Sequence, residues 1–483
     1  MFATAPLFGK FHSSLKDAAQ PLQRPRLLHH LQSLCGDWID PSLLDPNPTG
    51  PNSRQRLYTP QLTFLAFLDQ VLHPGSSCRK AVRQIQSYYQ SLPNPPALDE
   101  DPSAYCQARA RWSLDELVDI RRHLADHPGL NSLPLPFPVP GHRPLKVIDA
   151  TCLNTPDTPK NRQAYPQSAD QQPHCGFPLL RLAAIFSLKT GAVLERQYAP
   201  YATSENALYQ KLHRTLQRDD ILLGDRNCGS WGTLASLPIN GIDGLFHMHA
   251  SRNRDFRQGQ ALGPNDRLLT LFKPKDKPAN LPQAEWEQLP NHIQVRMVRA
   301  RVPTRNGRCK KIILLTTLLD PLLWTVELLV ALYGRRWQIE LFLRDIKTTL
   351  QMERLSCLTP EMVHKELEMH LIAYNLLRAL MGEAALTCHV PVQQLSFKGT
   401  LDTVGEYART LAQIPASYRQ RRKALYLEML AAIAADLLPL RPDRFEPRCQ
   451  KRRPKNYPFM NRPRRELRAA RKDRLPTPKK ARA

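Results

Sequence analysis

The chain has 483 residues, 42% of them hydrophobic, enough for a sizeable buried core and, by length, for roughly three domains. Lysine and arginine outnumber aspartate and glutamate by 68 to 43, a formal charge of +25 at pH 7, so a polyanionic partner is expected. A helical membrane span is excluded: the longest apolar run, 322–333, is interrupted by Glu327 and falls well short of the ~20 residues required.

The first residues, MFATAPLFGKFHSSLK, lack the charged, apolar and cleavage regions of a signal peptide, so no secretory leader is expected. Proline-rich stretches at 41–51, 92–102 and 133–144 read as loops or extended linkers. Between them, Leu62, Leu65, Phe67, Leu68 and Leu72 predict a helix over 59–72, and a similar pattern covers 77–89. Ser113, followed three residues later by Glu116, is a capping-box signature opening a helix over 113–124. The first 140 residues therefore read as a helical domain.

After Pro144 the pattern becomes that of strands, predicted at 145–151, 179–188 and 192–198, with Lys189-Thr190-Gly191 as the second turn. A helix over about 204–217 follows, then a buried strand over 221–224 that ends at Asp225. Three strands, a helix and a fourth strand is an order shared with ribonuclease H-like folds. The region 244–317 is again strand-rich, and runs at 293–302 and 309–318 flank Asn306-Gly307, a strong hairpin signal. Helical pattern resumes after Asp320-Pro321 and passes Leu350, with further helices over 363–383 and 417–438.

The segment 441–483 holds 17 basic and 4 acidic residues, a net of +13. It reads as a solvated tail, too rich in proline and arginine to fold alone, suited to sequence-independent phosphate contact. Ten cysteines are scattered without a C-x-x-C pair, so neither a disulfide framework nor a zinc ribbon is indicated, and a reducing cytosol is their expected home.

The most informative window is 333–347, YGRRWQIELFLRDIK. On one continuous helix, Tyr333, Arg336, Glu340 and Lys347 would share an arc of about 60°. Ile339, Phe342, Leu343, Ile346 and Leu350 would line the adjacent arc and seat the helix on a core. An acidic residue among cations on a helix is ordinarily a solvated salt-bridge face. Here it accompanies Asp149 and Asp225, which close the apolar runs KVID and ILLGD. An Asp at a strand end is common turn chemistry. Projected from a rigid scaffold, it is also the geometry that metal-ion phosphoryl transfer requires. Mg²⁺ takes oxygen ligands, and two ions ~3.5–4 Å apart serve both oxygens of an in-line displacement.

The spacing of Tyr333, Arg336, Glu340 and Lys347 resembles the Y-R-E-K signature of a large group of DDE transposases from bacterial insertion sequences, including Trp337 between the Arg and the Glu. VIDAT, DTPKNRQAYPQ and GFPLLRLAAIFSLKTGAVLE resemble the region of that group's first catalytic Asp, and LLGDRNCGSW that of the second. HLIAYNLLRALMGEAA is similar to its C-terminal helical block, and SCRKAVRQIQ and AYCQARARW to its N-terminal domain; the likeness runs from about 50 to 460.

The resemblance implies an α/β, RNase H-like mixed sheet with helices and a β-rich insertion, flanked by helical regions. Its divisions would be a helical N-terminal DNA-binding domain at 1–140, a catalytic domain at 141–355 with the insertion at about 244–311, a helical region at 356–440 and a basic tail at 441–483. It implies that Asp149, Asp225 and Glu340 are catalytic and hold two Mg²⁺ ions, with Mn²⁺ able to substitute. Tyr333, Arg336 and Lys347 would contact DNA phosphates, roles that suit a neutral donor, a bidentate fork and a point charge. Arg226, beside the second Asp, is a further DNA contact or a support for the carboxylates.

The implied partners are terminal inverted repeats and target DNA, bound by a homodimer in a synaptic complex. A bacterial cytoplasmic protein, nucleoid-associated when on DNA, is implied as well. One departure stands out: KKIILLTT at 310–317 has no aromatic where some members carry a tryptophan that stacks a flipped base, so a hairpin intermediate has no support here. Trp231, Trp286 and Trp337 are candidate substitutes for that stacking residue, but each reads first as a core residue. His247 and His249 with Cys228 could be imagined as a zinc site, but no second ligand pair is suitably spaced and they read as strand residues. Two rival readings are a structure-specific RNase H-like nuclease or resolvase, cutting without joining, and a non-catalytic DNA-binding protein descended from a transposase.

Overall fold

The structure is a computed structural model and describes residues 38–44, 56–90, 96–249, 252, 255–278, 281–303, 309–415, 417–439 and 458–472. The Asn306-Gly307 turn, residues 45–51 of the first proline-rich stretch and much of the basic tail lie outside these residues.

Four helices lead: α1 (Pro60–Leu72), α2 (Cys78–Gln90), α3 (Ser103–Arg111) and α4 (Leu114–Ala125). Thr59 caps α1, its hydroxyl accepting from the Leu62 N–H at 3.2 Å, with Pro60 in the first turn where no N–H is missed. The capping box at α4 forms as the sequence predicts. The Glu116 N–H donates to Ser113 Oγ at 3.1 Å, and the Ser113 N–H donates to Glu116 Oε2 at 2.7 Å.

Next come β1 (Leu145–Asn154), the short α5 (Pro159–Ala164), β2 (Leu179–Ser187), β3 (Val193–Pro200), α6 (Glu205–His213), β4 (Ile221–Gly224), α7 (Trp231–Ile239) and β5 (Asp243–His247). β6 (Gln260–Gly263), β7 (Asp266–Phe272), α8 (Gln283–Gln288), β8 (His292–Pro303) and β9 (Cys309–Thr316) follow. β1 runs three residues beyond its predicted end because β2 pairs with it as far as Asn154↔Leu179. Asp149 is therefore inside a strand and not at its end.

All nine strands form one sheet in the order β3-β2-β1-β4-β5-β9-β8-β7-β6. β1 to β3 are antiparallel neighbours, while β4 lies parallel to β1 and β5 parallel to β4. That five-strand arrangement is the RNase H-like sheet. The later strands do not build a sheet of their own: β9 joins antiparallel to β5, and β8, β7 and β6 widen the same sheet from there.

The remaining helices are α9 (Val326–Arg335), α10 (Gln338–Arg344), α11 (Pro360–Cys388), α12 (Phe397–Gln413), α13 (Arg419–Ala435) and α14 (Arg464–Lys472). The last of these is a short exposed helix within the basic tail, which the sequence reading did not mark. RRELRAARK is rich in good helix formers, and Pro463 stands just before its first turn, where a proline is tolerated. No helix among the described residues is long and apolar enough to cross a membrane.

α11 is the centre of the assembly, packing against α1, α4 and α13. It is buried along most of its length, so apolar residues occupy all its sides. One core joins the N-terminal helices, the odd-numbered face of β1 (Leu145, Val147, Leu153) and the C-terminal helices. A second core on the opposite face holds Ile148 and Leu222 against α6, α7 and the added strands.

Buried charge ties the first core together. The Glu368 carboxylate on α11 is fully buried; Oε1 accepts from Arg121 Nε on α4, and Oε2 accepts from Arg196 Nε on β3 at 2.8 Å. Asn375 adds a backbone clamp, its Oδ1 accepting from the Val193 N–H at 2.8 Å and its Nδ2 donating to Val193 O at 3.0 Å and Arg121 O at 3.2 Å. Removing the carboxylate would strip Arg196 of its counter-ion and leave the buried Arg121 only its pair with Glu195 at 3.4 Å. Glu368→Ala should lower unfolding free energy by about 3–5 kcal/mol in urea titration. A loss below about 1 kcal/mol would mean that the network does not hold these helices to the sheet.

Candidate functional site

The site begins with register. β1 and β4 pair in parallel through Leu145↔Ile221, Lys146↔Leu222 and Val147↔Leu223, and the ladder then stops. Two residues further on, in the same series, lie Asp149 and Asp225. Side chains two apart on a strand share a face, so Asp149 follows Val147 towards the first core, and Asp225, just past the end of β4, lies within electrostatic reach of it. Adjacent strands are about 4.8 Å apart, so two carboxylates meet where β1 and β4 part.

Their surroundings differ. Asp149 Oδ1 accepts from the Ala150 N–H at 2.8 Å. Burial pushes its pKa up to about 6; Asp225 and Glu205 add to the rise, and the Ala150 N–H and Arg336 oppose it. Asp225 Oδ1 accepts from the N–H groups of Asn227 at 2.8 Å and Cys228 at 3.2 Å. Turn chemistry thus engages one oxygen of Asp225 and fixes the carboxylate's direction.

The backbone over 333–347 is not the single helix expected. α9 stops at Arg335, Arg336 and Trp337 form a turn, and α10 gives way to a π turn at Asp345–Thr349. The Arg336 and Ile339 N–H groups bond three residues back, to Tyr333 O and Arg336 O at 3.1 Å, and the Leu350 N–H bonds five back, to Asp345 O at 3.0 Å. This tightening and loosening changes the angular step, so the shared arc computed for a regular helix does not exist. The apolar side is as expected, with Ile339, Phe342, Leu343, Ile346 and Leu350 all buried.

Two of the four polar groups still reach the aspartates, and a third reaches a strand neighbour of Asp149. Arg336 is half-buried, sits close enough to Asp149 to lower its pKa, and lies over the rings of Tyr333 at 5.8 Å and Trp337 at 5.3 Å. Its Nε is buried without a hydrogen-bond partner, a donor left for a ligand. Tyr333 lies against His247 of β5, ring centroids 6.4 Å apart; burial raises its hydroxyl pKa, with Asp225 adding to the rise. Lys347 Nζ donates to Thr151 Oγ1 at 3.0 Å, and Thr151 stands two residues beyond Asp149 on the same strand face.

Glu340 stands apart. Its side chain is 48% exposed and pairs with Arg336 at 3.8 Å. Among the described residues no three His, Cys, Asp or Glu side chains form a group able to hold a metal ion. The structure thus joins Asp149 to Asp225 and links Glu340 to them through Arg336. The donor chemistry suits a hard divalent cation: two carboxylates side by side, one of them resisting ionisation because of burial and its neighbour.

Arg226 is exposed on the turn after Asp225. Trp231 and Trp286 are core residues in edge-to-face contact, as expected. Trp337 is not: it is 44% exposed, because the turn at 336–337 rotates it out of the helix's apolar side. Glu205 at the start of α6, Asn227 and Thr151 were not singled out in the sequence. Asn227 Nδ2 reaches Glu205 Oε2 at 3.5 Å, which brings a third carboxylate to the margin of the aspartate pair. Thr151 could have been found from the alternation of β1; Glu205 could not, since only the sheet order brings it near.

A family model described as a transposase DDE domain matches residues 140–376, from just before β1 to the middle of α11. The chain is 29% identical over 365 residues to transposase InsG for insertion sequence element IS4 of Escherichia coli (strain K12), covering 74% of this chain and 78% of that one. A cryo-EM structure of the piggyBac transposase synaptic complex with hairpin DNA aligns with 86% of each chain at 9% identity, with a TM-score of 0.41.

The raised pKa of Asp149 has a definite sign for stability. An acid whose folded pKa lies above its unfolded value of 3.8 stabilises the fold only when protonated. That contribution is complete below pH 3.8 and is lost as pH rises through about 6. Without divalent metal, Asp149→Asn should therefore be more stable than the parent by about 1–2 kcal/mol at pH 7.5, allowing for partial solvent access, and equally stable near pH 3.5. Paired thermal melts at the two pH values measure the difference; equal stability at pH 7.5 would contradict the assigned environment.

Proposed function

We propose that the chain is a DDE transposase, a reading supported by the family match over residues 140–376 and the likeness to an insertion-sequence transposase, and that Asp149, Asp225 and Glu340 are its catalytic carboxylates and hold two Mg²⁺ ions, for which Mn²⁺ can substitute. The reaction is cleavage at the terminal inverted repeats of an insertion sequence, followed by joining of the freed 3′ ends to target DNA. The observation that carries this reading is the meeting of Asp149 and Asp225 just past the end of the β1–β4 ladder, with Arg336 beside them.

Divalent ions at these carboxylates supply charge to the attacking and leaving oxygens of an in-line displacement. The chain's own side chains bind and orient. Asp225, held by two backbone N–H groups, and Asp149, in a strand paired with β2, present fixed oxygens. Arg336 offers its unbonded Nε to a phosphate oxygen, and Lys347 adds a mobile positive charge from the Thr151 side. Tyr333 donates from its hydroxyl, which burial keeps protonated at neutral pH. Arg226 reaches the flanking DNA from its exposed turn. Glu340, paired with Arg336 at 3.8 Å, would complete the carboxylate set.

The test incubates protein and Mg²⁺ with labelled terminal-repeat DNA and a target plasmid. Asp149→Asn, Asp225→Asn and Glu340→Gln should each lose cleavage and joining by on the order of 10³-fold, about 4 kcal/mol of transition-state stabilisation, while still binding the repeat. Normal joining by any of the three would remove that residue from the catalytic set. Cleavage without joining by the parent protein would favour the nuclease or resolvase instead. Because two ends must be inserted together, the active species is a homodimer spanning both. Sedimentation of the complex on paired ends should give two protomers, and a single protomer would overturn the dimer.

A further inference from the structure

Away from the aspartates, α1, α2, α3 and the segment before α11 enclose a guanidinium whose partners are unusual. Arg109 on α3 is buried, with its charge 3.9 Å from the Phe67 ring centroid and 5.7 Å from that of Tyr105. Its Nη1 donates to Gln70 Oε1 at 3.3 Å and Cys78 Sγ at 3.3 Å, and its Nη2 donates to Cys357 Sγ at 3.0 Å; Nε is buried without a partner. Among the described residues, then, its acceptors are an amide oxygen and two sulfurs. Both oxygens of the nearby Glu366 are occupied by Ser356 and the Cys357 N–H. A buried cation requires compensating negative charge; the Glu366 carboxylate acts on Arg109 from nearby, and a thiolate is the anion that could touch the guanidinium directly.

Cys78 is placed to be that thiolate. It is the first residue of the 13-residue helix α2, where the unbonded N–H groups of the first turn favour negative charge. The Cys106 thiol on α3 hydrogen-bonds to it, and Gln70 Nε2 donates to it at 3.7 Å. The Cys106 hydrogen bond, then Arg109 and Gln70, outweigh burial and bring its pKa down to about 6, whereas Cys106 and Cys357 are pushed up. Cys106 is exposed and Cys78 partly so, which gives small solutes a way in.

We propose that Cys78 and Cys106 form a peroxide-reactive thiol pair, with Cys78 the attacking thiolate and Cys106 the resolving thiol. The Cys78 thiolate attacks one oxygen of hydrogen peroxide, the O–O bond breaks and hydroxide leaves, so Cys78 becomes a sulfenic acid. That hydroxide takes the proton of the Cys106 thiol to form water. The Cys106 sulfur then attacks the Cys78 sulfur, the S–S bond forms, the S–O bond breaks and hydroxide departs. Two cysteines have lost one electron each and one peroxide has been reduced. The product ties the first turn of α2 to α3 and removes the anion beside Arg109. The outward side of that turn carries the exposed Arg79, Lys80 and Arg83, so oxidation acts on a basic surface.

The experiment treats the reduced full-length protein with roughly equimolar hydrogen peroxide at pH 7 and maps peptides without reductant. The expected product is a Cys78–Cys106 linked peptide, reversed by dithiothreitol and forming at least about 10-fold faster than oxidation of the partly buried Cys175 and Cys388. In Cys106→Ser, dimedone should trap a sulfenic acid at Cys78. In Cys78→Ser, Cys106 should slow to the pace of Cys175 and Cys388 despite its exposure. Oxidation ordered by exposure, with Cys106 first and no linked peptide, would overturn the proposal. So would unchanged reactivity of Cys106 in Cys78→Ser.

Discussion

The carboxylate of Glu368 is where the separate parts of this molecule become one. It lies on α11, and its two oxygens are claimed by Arg121 from the N-terminal helices and Arg196 from β3. A buried charge is expensive unless its hydrogen bonds are complete, so the three elements must arrive together or not at all. Asn375, two turns further along the same helix, repeats the arrangement with backbone partners on β3 and α4. Packing alone would allow α11 to slide over the sheet; these directional bonds set its place. Through that placement they also set where the chain returns after the Glu340 helix.

The aspartate pair shows the opposite economy. Two like charges are held side by side, one of them partly buried, by a β1–β4 ladder that ends just before they meet. The fold tolerates this repulsion because strand pairing behind the carboxylates leaves them little freedom to separate. Strain of that kind is characteristic of sites awaiting a ligand of opposite charge. Arg336 offsets part of it, and the same residue pairs with Glu340, so one guanidinium is shared between groups that a cation would bring together.

Much of the architecture was legible in local pattern. The capping box at Ser113, the strand over Ile221–Gly224 and the buried side of the Glu340 helix all follow from spacing that the backbone obeys. The misses have physical causes. Asp149 read as a strand end because a charged residue interrupts the apolar run, yet β2 continues pairing past it. The regular helix drawn through Tyr333 and Lys347 failed because hydrogen bonds three and five residues back interrupt it, and no composition signal marks such shifts. Trp337 read as core for the same reason. The short helix at Arg464–Lys472 went unmarked because charge density hid good helix propensity.

By itself the sequence determined what depends on neighbours a few residues apart: which segments are helices and strands, which carboxylates close apolar runs, and where Tyr333, Arg336, Glu340 and Lys347 stand along the chain. Those properties arise from caps, periodicity and side-chain chemistry, all local. Tertiary structure alone decided what lies beside what. It brought Asp149 and Asp225 together past the end of the β1–β4 ladder, brought Glu205 to their margin and gathered Cys78 and Cys357 around Arg109. Those two cysteines stand 31 and 248 residues from Arg109 in the chain, and such meetings rest on strand order and helix packing, which no local window records.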